Sequence, residues 1–141
     1  MRFWDSSALV PLIAFEEESQ AIGELLADDP RQLVWTMTGV ELSSAVWRKW
    51  RMGDATTAAR DAALALLTEL ERTWSTVVDV PHVLARARRV LAAHALRAAD
   101  ACQLAAALHA CREQPHTMSF VTLDERLAEA AHQEGFHVLP G

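Results

Sequence analysis

The chain has no tyrosine, a single lysine, two cysteines and no long apolar run. No stretch approaches the roughly 18 consecutive apolar residues that a membrane-spanning helix needs. The N-terminus has no basic region leading into an apolar core and a small-residue cleavage site. No membrane span or signal peptide is therefore expected, and the cytoplasm is the default location. Cys102 and Cys111 fall nine positions apart in one helical stretch, on opposite sides of it, so they cannot bridge there and read as reduced core residues. Positive charge is not in excess: 13 Lys+Arg against 19 Asp+Glu leave a net charge of −6. That argues against holding nucleic acid by general basicity, yet it leaves room for an enzyme whose acidic pocket takes up cations. No Gly-rich turn follows the first strand, as a dinucleotide-binding fold would require. Ser7 stands two residues after Asp5, where a phosphatase with an aspartyl nucleophile needs a second Asp. The only lysine, Lys49, comes too early for a phospho-receiver domain. The six histidines show no His-x-x-x-His spacing or other metal-ligand pattern.

What is present is a globular composition, 51% hydrophobic and 23% charged, over 141 residues. This is one domain, 1–141, with enough chain for a sizeable core. Short β-rich segments at Arg2–Trp4, Leu33–Trp35, Ser75–Val80, Ser119–Thr122 and His137–Leu139 alternate with helical patterns. A short helix is expected from near Ser7, kept short by Pro11, which suits only a first turn. Glu16 to Ser19 open a second helix, closed by Asp28, Asp29 and Pro30. A third runs from Thr38 to Gly53, and a fourth from Ala55 to about Arg72 with Asp54 as its cap. Pro81 starts a helix to Ala93. Ala98–Cys111 is apolar almost all round, the mark of a buried helix. Asp124–Glu134 is the last helix, with Gly135 beyond it. Strands alternating with helices predict an α/β fold: a short parallel sheet sandwiched by α-helices.

Four acids sit where such a fold gathers ligands, in the crevice at the carboxyl ends of the strands. Asp5 and Asp124 follow strands; Glu41 and Asp100 open helices. Taken singly, three have ordinary explanations. Asp5 is a favoured helix cap. Thr38-Gly39-Val40-Glu41 and Thr122-Leu123-Asp124-Glu125 have capping-box spacing. Asp100 is different, because it opens the most apolar helix in the chain and a buried carboxylate without a partner is costly. If all four converge, they repel by about 4 kcal/mol per pair at 4 Å and an effective dielectric of ~20. A divalent cation preferring oxygen ligands, Mg²⁺ or else Mn²⁺, would offset that repulsion.

The ordered set resembles a known family. The opening WDSSAL, Glu41 on its helix, LRAADACQLAAA (96–107) and FVTLDERLAEA (120–130) are similar to the successive motifs of PIN-domain ribonucleases, and among those to the VapC-type toxins of bacterial toxin–antitoxin pairs. The likeness covers nearly the whole chain. It implies a single PIN-like domain and Mg²⁺-dependent hydrolysis of RNA phosphodiester bonds by a metal-activated water. Asp5 and Asp100 would be the principal ligands, with Asp124 and Glu41 completing the pocket directly or through water. It also implies a VapB-type antitoxin partner and a homodimer. Gln103 is assigned no role, since this position varies among relatives.

Ser6, Ser7 and Thr122 are close enough in sequence to orient carboxylates or water, or they make only local turn and cap bonds. Arg48 and Arg51 lie on the helical face of Glu41 and suit RNA phosphates, an acidic partner or plain solvent. Arg86, Arg88, Arg89 and Arg97 form a second basic stretch leading to Asp100. Trp47, Trp50 and Trp74 read as core or as the lining of a groove for an antitoxin segment. Two alternatives stand beside the toxin reading: a PIN-fold RNA-processing nuclease without an antitoxin, and an inactive PIN module that binds RNA or a partner.

Overall fold

Strand pairing places the N-terminal segment at the centre of the molecule. A computed structural model describes residues 1–141. In it β1 (Arg2–Trp4) pairs in parallel with β2 (Gln32–Trp35) on one side and β4 (Ser119–Val121) on the other. β3 (Ser75–Val77) extends the sheet beyond β2, and β5 (His137–Leu139) extends it beyond β4. The order is β3-β2-β1-β4-β5, all parallel.

Each strand alternates its side chains between the two faces, and the two faces carry separate cores. Phe3, Trp35, Val77 and Phe120 point to one side and pack with α5 (Val80–Ala93), α6 (Ala98–Ala110) and α7 (Glu125–Glu134). Phe3 stacks on Phe120 with ring centroids 5.3 Å apart. Trp4, Val34 and Val121 point to the other side and pack with α1 (Ser6–Ile13), α2 (Ser19–Asp28), α3 (Thr38–Arg51) and α4 (Thr57–Glu71). The result is the expected sandwich. Cys102 and Cys111 are both free thiols, the latter buried.

Helix α6 is buried along most of its length, from Ala101 through Gln103 to Leu108, as its all-round apolar pattern predicts. Small Ala side chains let it lie close to the sheet between α5 and α7. Gly135 ends α7 with φ +107°, a conformation that suits glycine.

Several local expectations change. Pro11 lies inside α1, in its second turn, and the helix stays short at eight residues. Thr56, not Asp54, caps α4, its hydroxyl accepting from the Ala59 N–H at 3.0 Å. β3 stops at Val77, and a single 3₁₀ turn (Pro115–Thr117) precedes β4.

Candidate functional site

The loops leaving β1 and β4 meet at the carboxyl end of the sheet, and a lattice of hydroxyl groups joins them. Asp5 caps α1, its Oδ2 accepting from the Ser7 N–H at 3.2 Å. The same oxygen accepts from the Ser7 hydroxyl and, at 2.9 Å, from the Thr122 hydroxyl. Ser7 Oγ in turn accepts from the Leu123 N–H, and Thr122 Oγ1 from the Asp124 N–H. Asp124 caps α7 through the Leu127 N–H at 2.9 Å. Asp5 is the cap its local reading expected, whereas Asp124 is itself the cap of α7, so the Thr122–Glu125 box does not form. Neither role competes with a place in the pocket. Asp5 is nearly fully buried and lines the pocket, and its Oδ1 makes a single long side-chain contact, 3.5 Å from the Ser6 hydroxyl.

Glu41 departs from its local expectation. No side chain caps α3, so the Thr38–Glu41 capping box does not form. The fully buried Thr38 hydroxyl instead accepts from Gln103 Nε2 at 3.1 Å. The Glu41 carboxylate turns away from its own helix start: Oε2 accepts from Ser6 at 2.8 Å and Oε1 from Gln103 Nε2 at 3.2 Å. Tertiary contacts across α3, α1 and α6 outcompete the local box. Gln103 therefore ties α6 to α3 at the pocket, and its own Oε1 is buried without a partner. Its polarity on an otherwise apolar helix face was the available signal.

Asp5, Glu41, Asp100 and Asp124 all line one concavity, with Ser6, Ser7 and Arg48. Burial pushes the Asp5 carboxyl above the usual range, against the lowering effect of Ser7 and Thr122, and Asp124 adds repulsion. Glu41 is raised by burial and by Asp5 and Asp100, with Ser6 and Gln103 opposing. Asp100 is raised by burial and then by Asp124 and Asp5, while Arg97 opposes. The mutual repulsion expected from the sequence is thus present. No three His, Cys, Asp or Glu side chains are drawn together into a ready-made metal cage. The pocket is instead open and lined by carboxylate oxygens. Such a donor set suits a hard cation such as Mg²⁺, which keeps several waters and takes only one or two carboxylates directly.

The arginines separate. Arg48 reaches the pocket, whereas Arg51 and Arg60 lie over the rings of Trp47 and Trp50. Arg86 is paired with Glu113, so of the second basic stretch Arg97 is the one at the pocket edge. Arg126, which no sequence pattern singled out, stands beside it. An apolar hollow on another side of α3 is lined by Ile13, Phe15, Val46 and Ala63, with Phe15 98% exposed.

Comparison with known proteins agrees with this fold. The model of the PIN domain matches residues 2–133. Ribonuclease VapC35 of Mycobacterium tuberculosis, in strains CDC 1551 / Oshkosh and ATCC 25618 / H37Rv, is 35% identical over 134 residues, covering 93% of this chain and 90% of its own. The crystal structure of PAE2754 from Pyrobaculum aerophilum shares the fold, with a TM-score of 0.67 at 20% identity, over 92% of this chain and 83% of that one. With its parallel sheet, its carboxylate pocket and this likeness over nearly all its length, the chain belongs to the PIN-domain family, and within it to the VapC type.

Proposed function

We propose that this protein is a Mg²⁺-dependent endoribonuclease, the toxin of a toxin–antitoxin pair. The observation that carries the reading is the meeting of Asp5, Glu41, Asp100 and Asp124 in one pocket. The name of its relative, a ribonuclease, supports the same substrate class. Asp5 and Asp100 would hold the cation, with Asp124 and Glu41 beside them. Bound there, Mg²⁺ (or Mn²⁺) supplies an activated water and neutralises charge on the phosphate.

The chain's own groups prepare that site. Ser7 and Thr122 fix one oxygen of Asp5, and the other, with only a long contact from Ser6, would be available to a cation. Ser6 and Gln103 hold Glu41 across the pocket, so the carboxylates need no reorganisation when the cation arrives. No side-chain nucleophile is required.

The hollow beside Phe15 supports the antitoxin as partner: it is apolar, open, and walled by α3 and α4, the arrangement that takes an amphipathic peptide. On α5, Val80, Leu84 and Leu91 share one exposed face, which supports a homodimer. The deciding experiment is cleavage of total cellular RNA by antitoxin-free protein with Mg²⁺, with EDTA, and as Asp5→Asn and Asp100→Asn. Discrete cuts lost in EDTA and in both variants are expected. No cleavage by the metal-loaded wild type would sink the reading.

A further inference from the structure

The acidic pocket does not end at its carboxylates. Past Asp100 and Asp124 it continues into a second hollow walled by Leu96, Arg97 and Arg126. That hollow shares Leu96 and Arg126 with a third, of about 470 Å³, floored by the buried Ala130 and rimmed by the exposed Ala93 and Gln133. The three adjoin through these shared residues as one groove running from the carboxylates along the start of α6 and the length of α7.

Of the arginines without an ion pair, Arg97 and Arg126 are the two that line this groove beyond its carboxylates. Arg2, Arg31, Arg60, Arg72 and Arg86 are each paired with a carboxylate. Arg97 and Arg126 are exposed and make no ion pair, although Asp100, Asp124 and Glu129 line the same groove. Their guanidinium forks remain free to donate. A free fork matches the oxygens of a phosphodiester and binds them in pairs. Arg48, also without an ion pair, lines the opposite part of the acidic pocket.

Resting on the nuclease reading above, we propose that Arg97 and Arg126 form a phosphate-binding subsite for single-stranded RNA on one side of the scissile bond. The nucleotide beyond them places its base in the hollow of Leu96, Ala130 and Gln133. Single-stranded RNA is the form that fits. Its bases splay out of the chain and enter a side hollow, whereas a duplex keeps them stacked and presents mainly backbone. An acidic peptide would meet the same guanidinium groups. The groove, however, opens directly from the carboxylates where the phosphodiester sits, so one continuous strand fills both.

The test uses the full-length chain carrying Asp5→Asn to prevent cutting, with Mg²⁺ present. Binding of a fluorescein-labelled single-stranded RNA of mixed sequence is followed by anisotropy over a range of salt concentration. Each lost phosphate contact lowers the slope of log K against log salt by about 0.7. Arg97→Ala and Arg126→Ala are expected to lower it by about that amount each, with weaker binding. Arg97→Lys should keep the slope and lose part of the affinity. Arg88→Ala and Arg112→Ala, exposed arginines outside the groove, should change nothing.

An unchanged slope in the Arg97→Ala/Arg126→Ala double variant overturns the subsite, and so does an equal loss in Arg88→Ala. Polyglutamate binding that depends on the two arginines while RNA binding does not also overturns it. Duplex RNA of the same sequence binding as well, with the same arginine dependence, would remove the splayed base. Wild-type cleavage is measured in parallel. If the wild type cuts RNA and the slope is unchanged, only the subsite falls. If the wild type neither binds nor cuts RNA, the nuclease reading falls with it.

Discussion

Asp5 uses its two carboxylate oxygens differently. One is committed to Ser7 and Thr122, and the other has only a long contact from Ser6. Asn is also a favoured cap, so Asp5→Asn should keep the fold while removing the charge. We expect a melting temperature near that of the wild type and a loss of cleavage of at least about 100-fold, given the several kcal/mol that metal-bound charge supplies. Asp5→Ala should lose cleavage and also about 1 kcal/mol of stability with the cap, read from urea unfolding. Gln103 offers a second residue-scale case. Gln103→Leu strands the buried Thr38 hydroxyl and releases Glu41, so it should cost about 1–3 kcal/mol. It should also weaken Mg²⁺ binding roughly 10–100-fold, measured by calorimetric titration. Thr38→Val combined with Gln103→Leu should recover part of the stability but none of the Mg²⁺ affinity, because the polar pair is then removed together. If both recover, Gln103 acts on packing alone.

At the scale of elements, the turn after α7 is the most exacting. Gly135 holds φ +107°, and a Cβ there would lie 3.2 Å from Pro115 Cγ. Gly135→Ala should therefore destabilise by roughly 1–2 kcal/mol, seen as a lower urea midpoint with unchanged slope. This stop was legible from the sequence, as were the alternation of strands with helices and the buried character of α6. Periodicity and apolar fraction report burial directly. Caps were less legible, because they depend on what else is near. Thr38-x-x-Glu41 has the spacing of a local box, but Gln103 and Ser6, 65 and 35 positions away along the chain, claim both partners. Asp54 and Thr56 are both suitable caps, and only backbone geometry selects Thr56. For the site, the positions of all four acids could be read from strand ends and helix starts. Arg126 could not, since its place comes from elements that meet only in the folded chain; Gln103 showed its polarity on an apolar helix but not its partners Thr38 and Glu41.

At the scale of the whole molecule, the pocket's own carboxylates oppose folding stability at neutral pH. Asp5, Glu41 and Asp100 are raised above their ordinary values of 3.8, 4.5 and 3.8. A carboxyl raised in the folded state binds its proton more tightly there than in the unfolded chain. Its stabilising contribution is full below the ordinary value and is lost as pH rises through the raised one. In metal-free protein, Asp100→Asn should thus raise the melting temperature at neutral pH, and the difference should shrink as pH falls toward about 4. Mg²⁺ at 100 times its dissociation constant should stabilise the wild type by about 2.7 kcal/mol, or roughly 5–10 °C at the few degrees per kcal/mol of a domain this size. Asp100→Asn should respond far less. Differential scanning calorimetry with and without EDTA checks both.

The bonds from Ser7 and Thr122 to Asp5 carry one more consequence, in time rather than in space. Asp5 and Thr122 are 117 positions apart. During synthesis the second of these residues is added 117 positions after the first. No nascent chain lacking β4 and the turn beyond it can close the pocket, however well its earlier helices have formed. The carboxylates come together only when β4 and the turn beyond it are laid beside the first strand, so the site closes long after that strand has been made.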